Sequence, residues 1–191
     1  MKYVGAISDT DILINLAIVN RFDILECLFE QIIIPQFVYD VEIKRKAGRH
    51  YSAIVQAINK NGSIFQVLDR KKDGALNRLS KEIIDDKRNL IGPGESECAG
   101  YATALRIPII ISDNFTEFKF LEEFITLTHK NILALCVHFK EITWEDAEHI
   151  FNGINSRLSR PTQNTFEHIF KKSLDTFKNN GWNKYLGIEI K

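Results

Sequence analysis

The chain has 191 residues, of which 45% are hydrophobic and 26% charged, and its formal net charge is zero. These values fit one globular domain with a core of its own, and they exclude a disordered chain and a strongly basic protein that coats nucleic acid. Three cysteines, Cys27, Cys98 and Cys136, lie far apart with no CxxC pair, which argues against a disulfide framework or zinc site and favours a reducing, cytoplasmic location.

Short apolar runs alternate with helical periodicity along the first half of the chain. The runs are rich in β-branched residues and end at polar residues or proline, as strands do, whereas the longer segments repeat apolar residues every three to four positions. We predict strands at residues 3–8, 31–34 and 63–68, and helices at 10–21, 22–29, 35–46, 51–60 and 75–84.

The second half continues the alternation and then becomes purely helical. Gly92, Pro93 and Gly94 break the chain before the next helix. We predict helices at 95–105 and 114–124, strands at 108–112 and 125–127, and three last helices at about 129–140, 144–158 and 161–179. Alternating strands and helices predict a three-layer α/β/α sandwich with a mostly parallel central sheet. We expect this domain to span 1–140, with residues 141–191 as a helical extension packed on it.

Two aspartates follow predicted strands at the point where each strand ends. Asp9 comes after the first strand, and Asp113 comes after the strand at 108–112. Ligand sites of parallel sheets lie at the carboxyl ends of the strands, so we expect both carboxylates at the same edge. A buried carboxylate needs a partner, and no Lys or Arg is near either one in sequence; Mg²⁺ or Mn²⁺ would serve.

Two glutamates lie on helices expected beside those strand ends. Glu95 precedes Ala99 by one turn and lies at the edge of the apolar stripe. Glu97 is rotated about 160° from it, at roughly 100° per residue, so we expect Glu97 to be exposed or to support the site. Val38 and Val41 mark the inner face of the helix predicted at 35–46. Glu42 lies one turn after Val38 on that side, and Asp40 points further out.

Each acid also has a structural explanation. Asp9 and Asp113 are residues that commonly cap helices, and Glu95 suits the positive end of a helix dipole. Glu42 can be a surface acid paired with Arg45 or Lys46. The four acids together, all predicted at one end of one sheet, favour a site.

Basic residues concentrate in residues 43–88, which hold twelve basic and five acidic side chains. They are candidates for holding a phosphate backbone, namely Lys44, Arg45, Lys46 and Arg49, with Arg70, Lys71 and Lys72. The five histidines form no paired motif, so we interpret them as surface or core residues, with His50 a weak candidate for substrate contact. Trp144 and Trp182 suit helix packing better than base stacking. No P-loop, GxGxxG or GxSxG motif occurs.

Three stretches, covering roughly residues 3–128, resemble the PIN domain family. The first runs from Ser8 to Leu16, the second from Ile32 to Glu42, and the third pairs Gly94–Ala99 with Ile109–Asn114. The family's usual spacing would place its glutamate at Val41, so that position is displaced here to Glu42 or Asp40. Asn114 stands where many members have a second aspartate.

The resemblance implies a fold, an activity and partners. PIN domains are α/β/α sandwiches, and many are Mg²⁺- or Mn²⁺-dependent ribonucleases that cut single-stranded RNA. Carried over to this sequence, the catalytic metal ligands are Asp9, Glu42, Glu95 and Asp113, with Thr10 and Ser112 as supporting hydroxyls. Many bacterial and archaeal members are toxins neutralised by an antitoxin protein, and many dimerise, so an antitoxin and a homodimer are expected partners. The alternative is a catalytically degraded PIN-like module that binds RNA or a protein partner without cleavage.

Overall fold

A parallel five-stranded sheet forms the centre of the molecule. The computed structural model describes residues 2–114, 116–117 and 120–189. The strands lie in the order β3-β2-β1-β4-β5, all parallel, with Ile7 of β1 paired to Ile33 on one side and Ile110 on the other. Their bounds are β1 Ala6–Ser8, β2 Ile32–Pro35, β3 Phe65–Leu68, β4 Ile109–Ile111 and β5 Ile125–Leu127. The predicted α/β/α architecture is confirmed.

The helices of the first half follow the predicted order. After β2 the chain makes a π-helical segment at Val38–Ile43 that continues into α3, and a 3₁₀ turn at Gly48–His50 leads into α4. The α-helices are α1 Thr10–Val19, α2 Asp23–Leu28, α3 Lys44–Lys46 and α4 Tyr51–Asn59.

The second half adds five α-helices among the described residues. They are α5 Gly74–Lys87, α6 Pro93–Leu105, α7 His129–His138, α8 Trp144–Asn155 and α9 Phe166–Asn179. The last helix begins at Phe166 and not at 161, because the Thr165 side chain accepts the backbone N–H of His168 and caps it there. The predicted helix at 114–124 is wrong where it is described, since residues 116–117 and 122–124 form turns and a bend; residues 115, 118 and 119 lie outside the part of the chain that is described.

The C-terminal helices share the core of the sheet. Phe151, Phe166 and Phe177 are buried in the same apolar cluster as the strands. Helix α8 packs on α1 and α7, and α9 packs on α7 and α8. Tyr3, at the start of the chain, donates its hydroxyl hydrogen to the carbonyl of Leu186 at 2.9 Å. A division of the chain at residue 140 stays a prediction. Within the described residues, no helix is long and apolar enough to cross a membrane.

Candidate acidic active site

The predicted acidic residues lie where the parallel strands end. Asp9 directly follows β1, Asp113 lies two residues after β4, and Glu42 belongs to the π-helical segment after β2. Glu95 enters from the first turn of α6. Because all five strands are parallel, their carboxyl ends form a single edge. The sheet therefore brings residues distant in sequence to one place.

Asp9 is fully buried and only partly hydrogen-bonded. It occupies the N-cap position of α1, yet its side chain makes no capping hydrogen bond. Its Oδ2 accepts a hydrogen bond from Ser112 Oγ at 3.1 Å, whereas its Oδ1 is buried and has no partner among the residues that the structure describes. Burial, followed by the charge of Glu95, raises the pKa of Asp9 well above its usual range. A buried carboxylate oxygen without a partner costs free energy that a bound cation would offset.

Asp113 has the opposite surroundings, since both of its oxygens are paired. Asn15 donates to Oδ2 at 2.6 Å, and Oδ1 lies 3.0 Å from the backbone nitrogen and 2.8 Å from Nδ1 of His129. Burial alone would raise the pKa of Asp113, but the contacts with His129 and Asn15 lower it below its usual value. Asp113 is therefore an anchored carboxylate that stays ionised.

His129 is the site residue that the sequence interpretation missed. It is buried, with 2% of its surface exposed, and no described residue forms a hydrogen bond with its Nε2. Because Nδ1 faces the carboxylate of Asp113, the proton of a neutral ring belongs on Nδ1. A signal was present, since His129 follows β5 by two residues and therefore lies at the same sheet edge as Asp9. Asn15, also buried, was likewise missed.

Glu42 is buried and held by two donors. Its Oε2 accepts hydrogen bonds from Thr10 Oγ1 and from Lys46 Nζ, both at 3.1 Å. The side chain of Glu42 is 2% exposed and that of Lys46 is 32% exposed. The alternative that pairs Glu42 with Lys46 is thus correct about the partner, but Glu42 is not a surface acid. Asp40, as expected, points outward, where it pairs with Lys44.

The π-helical segment explains why Glu42 and not Val41 faces the site. A π-helix takes an extra residue in each turn, which advances the following side chains by one position around the axis. Val41 is 42% exposed here, whereas Glu42 points inward. The glutamate comes one position later than in the family's usual spacing, and the π-helical geometry of this segment turns it toward the site.

Glu95 and Glu42 meet around the glycine-rich start of α6. Glu95 is buried, and its Oε1 accepts a hydrogen bond from Asn114 Nδ2 at 2.7 Å. A Cβ on Gly94 would lie 2.6 Å from the Glu42 carboxyl carbon, closer than two carbons can approach. Gly94 therefore allows the Glu42 carboxylate to lie against the first turn of α6.

Asp11 is a fifth acid that faces this cluster. Burial raises the pKa of Asp11, and the nearby negative charges of Glu95, Asp113 and Glu42 also raise it. The positive charge of Lys46 lowers this pKa in part. The carboxylate of Asp11 therefore interacts electrostatically with Asp113 and with both glutamates. Asp11 lies in the first turn of α1, where acids are ordinary, so its position in the sequence did not indicate a site residue.

Two expectations about neighbouring residues are wrong in part. Glu97 is not exposed: α5 covers that side of α6, and Glu97 accepts hydrogen bonds from Arg70 and Arg88 at distances of 2.8 to 3.4 Å. Arg70 is consequently not available to hold a phosphate backbone, since its side chain is 11% exposed and engaged by Glu97. Lys71 and Lys72 remain exposed.

The acids are close enough to influence one another electrostatically but do not converge on a single point. Among the described residues, no group of three or more His, Cys, Asp or Glu side chains is arranged to hold a metal ion. The ammonium of Lys46 and the amide of Asn114 bind Glu42 and Glu95 instead. The unpartnered Asp9 oxygen and the oxygen-rich surroundings fit a hard divalent cation, whose binding would require these side chains to shift.

Comparison with known proteins agrees with this architecture. Models of known protein families match residues 5–172 of the chain to the PIN domain. No curated protein matches the chain. PIN domains are in general nucleases, and they typically use divalent metals. Because the match covers most of the sequence, the chain belongs to the PIN domain family.

Proposed function

We propose that the chain is a metal-dependent endoribonuclease that hydrolyses phosphodiester bonds of single-stranded RNA at the acidic cluster. The observation that carries the proposal is Asp9, a fully buried carboxylate whose Oδ1 is unpaired within the described part of the chain. Burial and the charges of Glu95, Asp11 and Glu42 raise its pKa. Natural folds rarely keep such a group unless a ligand uses it. We propose the cytoplasm as its location, since its three cysteines are free.

The residues that would hold Mg²⁺ or Mn²⁺ are Asp9, Glu42, Glu95 and Asp113. When bound, such an ion lowers the pKa of a water molecule and neutralises charge on the phosphate. Thr10 and Ser112 orient two of the carboxylates by donating hydrogen bonds to them. His129 and Asn15 fix the orientation of Asp113 from opposite sides.

Exposed basic residues beside the cluster suit an RNA backbone. Lys44, Arg45 and Arg49 lie on the exposed surface that follows the π-helical segment of Glu42. Lys71 and Lys72 follow β3 and therefore lie at the same edge of the sheet. Phosphate contacts of this kind position a strand without selecting a base sequence.

Cleavage of a labelled single-stranded RNA pool tests the proposal. Wild type should cut the RNA with Mn²⁺ or Mg²⁺ and not with EDTA, and Asp9→Asn should abolish cutting. Asp40→Asn is the matched control, because Asp40 is exposed and points away from the cluster. Full activity of folded Asp9→Asn would refute the assignment.

A second function, RNA or protein binding without cleavage, is favoured by one observation. Lys46 and Asn114 already bind the carboxylates of Glu42 and Glu95. Metal-dependent stability separates the two functions, since a ligand that binds only the folded state raises the melting temperature. A rise on adding Mn²⁺ supports the nuclease, and no rise in either wild type or Lys46→Met supports the binding module.

We propose further that the nuclease acts as the toxin of a toxin–antitoxin pair. The resemblance of the acidic motifs supports this role. Expression in a bacterial host should then arrest growth, and Asp9→Asn should relieve the arrest. Growth arrest that persists with Asp9→Asn would refute a toxin that acts through cleavage.

A further inference from the structure

A cleft of about 810 Å³ runs along the edge strand β5. Strand β5 is the last strand on its side of the described sheet. The cleft lies between β5, the first turn of α7 and the inner side of α9, and we call it the edge cleft. Its volume falls within the range of about 300–1,000 Å³ that is usual for ligand pockets. It has room for a nucleotide-sized group.

The lining of the edge cleft combines polar and basic groups with apolar side chains. Its hydroxyl and amide groups include those of Thr126, Asn131 and Ser173, with Asn131 donating to Ser173 Oγ at 3.2 Å. Two lysines, Lys130 and Lys172, also line it, against a single acid, Glu122, among the lining residues. Phe124, Ile169 and Trp182 add apolar surface, so the lining suits an anionic ligand that also has an apolar part.

The two lysines of the edge cleft repel each other. Burial lowers the pKa of Lys130, the charge of Asp113 raises it, and the charge of Lys172 lowers it. The charges of Asp113 and of Lys172 thus both act on the ammonium group of Lys130. A phosphate group between the two ammonium groups would replace this repulsion by two attractions.

One end of the edge cleft adjoins the acidic cluster. Thr128 and Lys130 line the cleft, and His129 between them contacts Asp113 through both its backbone N–H and its ring. Phe124, the residue just before β5, lines the cleft away from this end. The cleft thus leads away from the proposed cleavage point along the edge strand, and a chain with regularly spaced phosphates fits such a path.

We propose that the edge cleft holds the part of a single-stranded RNA that flanks the cleaved bond, with a backbone phosphate between Lys130 and Lys172. Trp182, half-buried in the wall of the cleft, supplies a ring on which a base stacks. This inference rests on the proposed nuclease function. It differs from the interpretation of Trp182 as a packing residue alone.

Binding of a short fluorescein-labelled single-stranded RNA, measured in EDTA to prevent cleavage, tests the inference. Lys172→Gln should make the slope of log K against log salt shallower by about 0.7, as expected for one lost phosphate contact on a single strand. At about 50 mM salt the same loss should weaken binding about eightfold. Lys171→Gln is the control, because Lys171 is on the same helix but pairs with Glu167 on the exposed side. It should leave both values unchanged.

Tryptophan fluorescence locates the bound RNA. The chain has two tryptophans, and Trp144 packs against Phe166 and Phe170. RNA should quench the fluorescence of Trp144→Phe, which retains Trp182, and leave that of Trp182→Phe unchanged. Equal quenching of the two variants, or none, would place the RNA elsewhere.

The outcomes separate this inference from the nuclease itself. If RNA is bound and is cut in an Asp9-dependent way, but Lys172→Gln behaves like Lys171→Gln, the RNA path is overturned while the nuclease stands; the edge cleft then belongs to another ligand, such as a protein segment. If wild type neither binds nor cuts RNA, both proposals fail.

Discussion

Lys46 places its ammonium 3.1 Å from Oε2 of Glu42, one turn further along the same helical segment. The charges of Glu42, Asp9 and Asp11 all act to raise the pKa of Lys46, against the lowering effect of its burial. The lysine therefore serves as an internal counter-ion of the acidic cluster. A divalent cation that entered the cluster would compete with it for the same carboxylate.

Replacing this lysine should weaken the metal-free fold and strengthen metal binding. Lys46→Met leaves the buried Glu42 with Thr10 as its remaining donor, which we expect to cost about 1–3 kcal/mol without metal. Removing the competing charge should tighten Mn²⁺ binding, and a tenfold tighter site adds about 1.4 kcal/mol at high Mn²⁺. Thermal unfolding with EDTA and with Mn²⁺ measures both effects.

Lys44→Met is the matched control for this prediction. Lys44 makes an equivalent pair, four residues from Asp40, on the exposed side of the segment. Exposed pairs of this kind contribute about 0.3–0.5 kcal/mol. The stability of Lys44→Met should therefore stay close to that of wild type, both in EDTA and in Mn²⁺. An identical Mn²⁺ response in Lys46→Met and wild type would show that the lysine does not compete with the metal.

His129 should matter for activity more than for folding. His129→Leu removes the ring contact with Asp113 but keeps the backbone N–H contact, so the carboxylate loses its fixed orientation. Outer contacts of this type typically change activity or metal affinity about 10–100-fold. RNA cleavage rates at saturating Mn²⁺ measure the loss. His129→Asn, which can keep a donor near Asp113, should recover part of it, and equal losses in both variants would contradict an orienting role.

The sequence predicted the strands well because their signal is local. The β-branched runs of β2 and β4 are bounded by proline or polar residues, and β5 spans 125–127 as predicted. Alternation with helices was enough to predict parallel strands and hence one edge for Asp9 and Asp113. Glu42 was correctly placed on the inner face, one turn after Val38, but Val41, which was expected on the same face, is 42% exposed. The π-helical geometry of this segment has no separate signal in the sequence.

The errors arise where a neighbouring element decides the surroundings of a side chain. Glu97 is rotated away from Glu95, as the helical angle predicts, but that side of α6 is covered by α5. A Cβ on Gly100 of α6 would overlap Ile84 of α5, which shows how closely the helices approach. The role of His129 likewise depends on β5 lying beside β4, a pairing that periodicity does not reveal.

The Glu97 cluster should be important for stability. Glu97 is buried, and its carboxylate binds Arg70 and Arg88, so Glu97→Gln leaves a buried guanidinium without its counter-charge. Breaking a buried pair from one side costs about 3 kcal/mol. Urea unfolding of Glu97→Gln should show this loss, whereas Glu167→Gln, at an exposed pair with Lys171, should change little. RNA cleavage by folded Glu97→Gln should stay near wild type; a large loss of cleavage would make Glu97 part of the site.

Asp9 and Asp113 should respond to pH in opposite directions, because the fold shifts their pKa values in opposite directions. Burial and then Glu95 raise the pKa of Asp9, so its contribution to stability is full below the unfolded pKa and is lost as the pH rises through the folded pKa. Despite burial, His129 and Asn15 lower the pKa of Asp113, so its contribution is present above the unfolded pKa and is lost as the pH falls through the folded pKa.

At pH 7 without metal, the two corresponding asparagine substitutions should therefore change the free energy of unfolding in opposite directions. Asp9→Asn removes a buried charge that the fold disfavours, and we expect it to be more stable than wild type. Asp113→Asn loses charge-assisted hydrogen bonds worth about 1.5–3 kcal/mol and should be less stable. Urea unfolding in EDTA at pH 7 and at lower pH measures both changes in stability, and each difference from wild type should shrink as the pH falls.

Adding Mn²⁺ at pH 7 should make wild type more stable than Asp9→Asn, since only wild type keeps the buried carboxylate that the ion would bind. If Asp9→Asn were destabilised in EDTA as Asp113→Asn is, Asp9 would be a structural residue, and the central observation behind the nuclease would be lost.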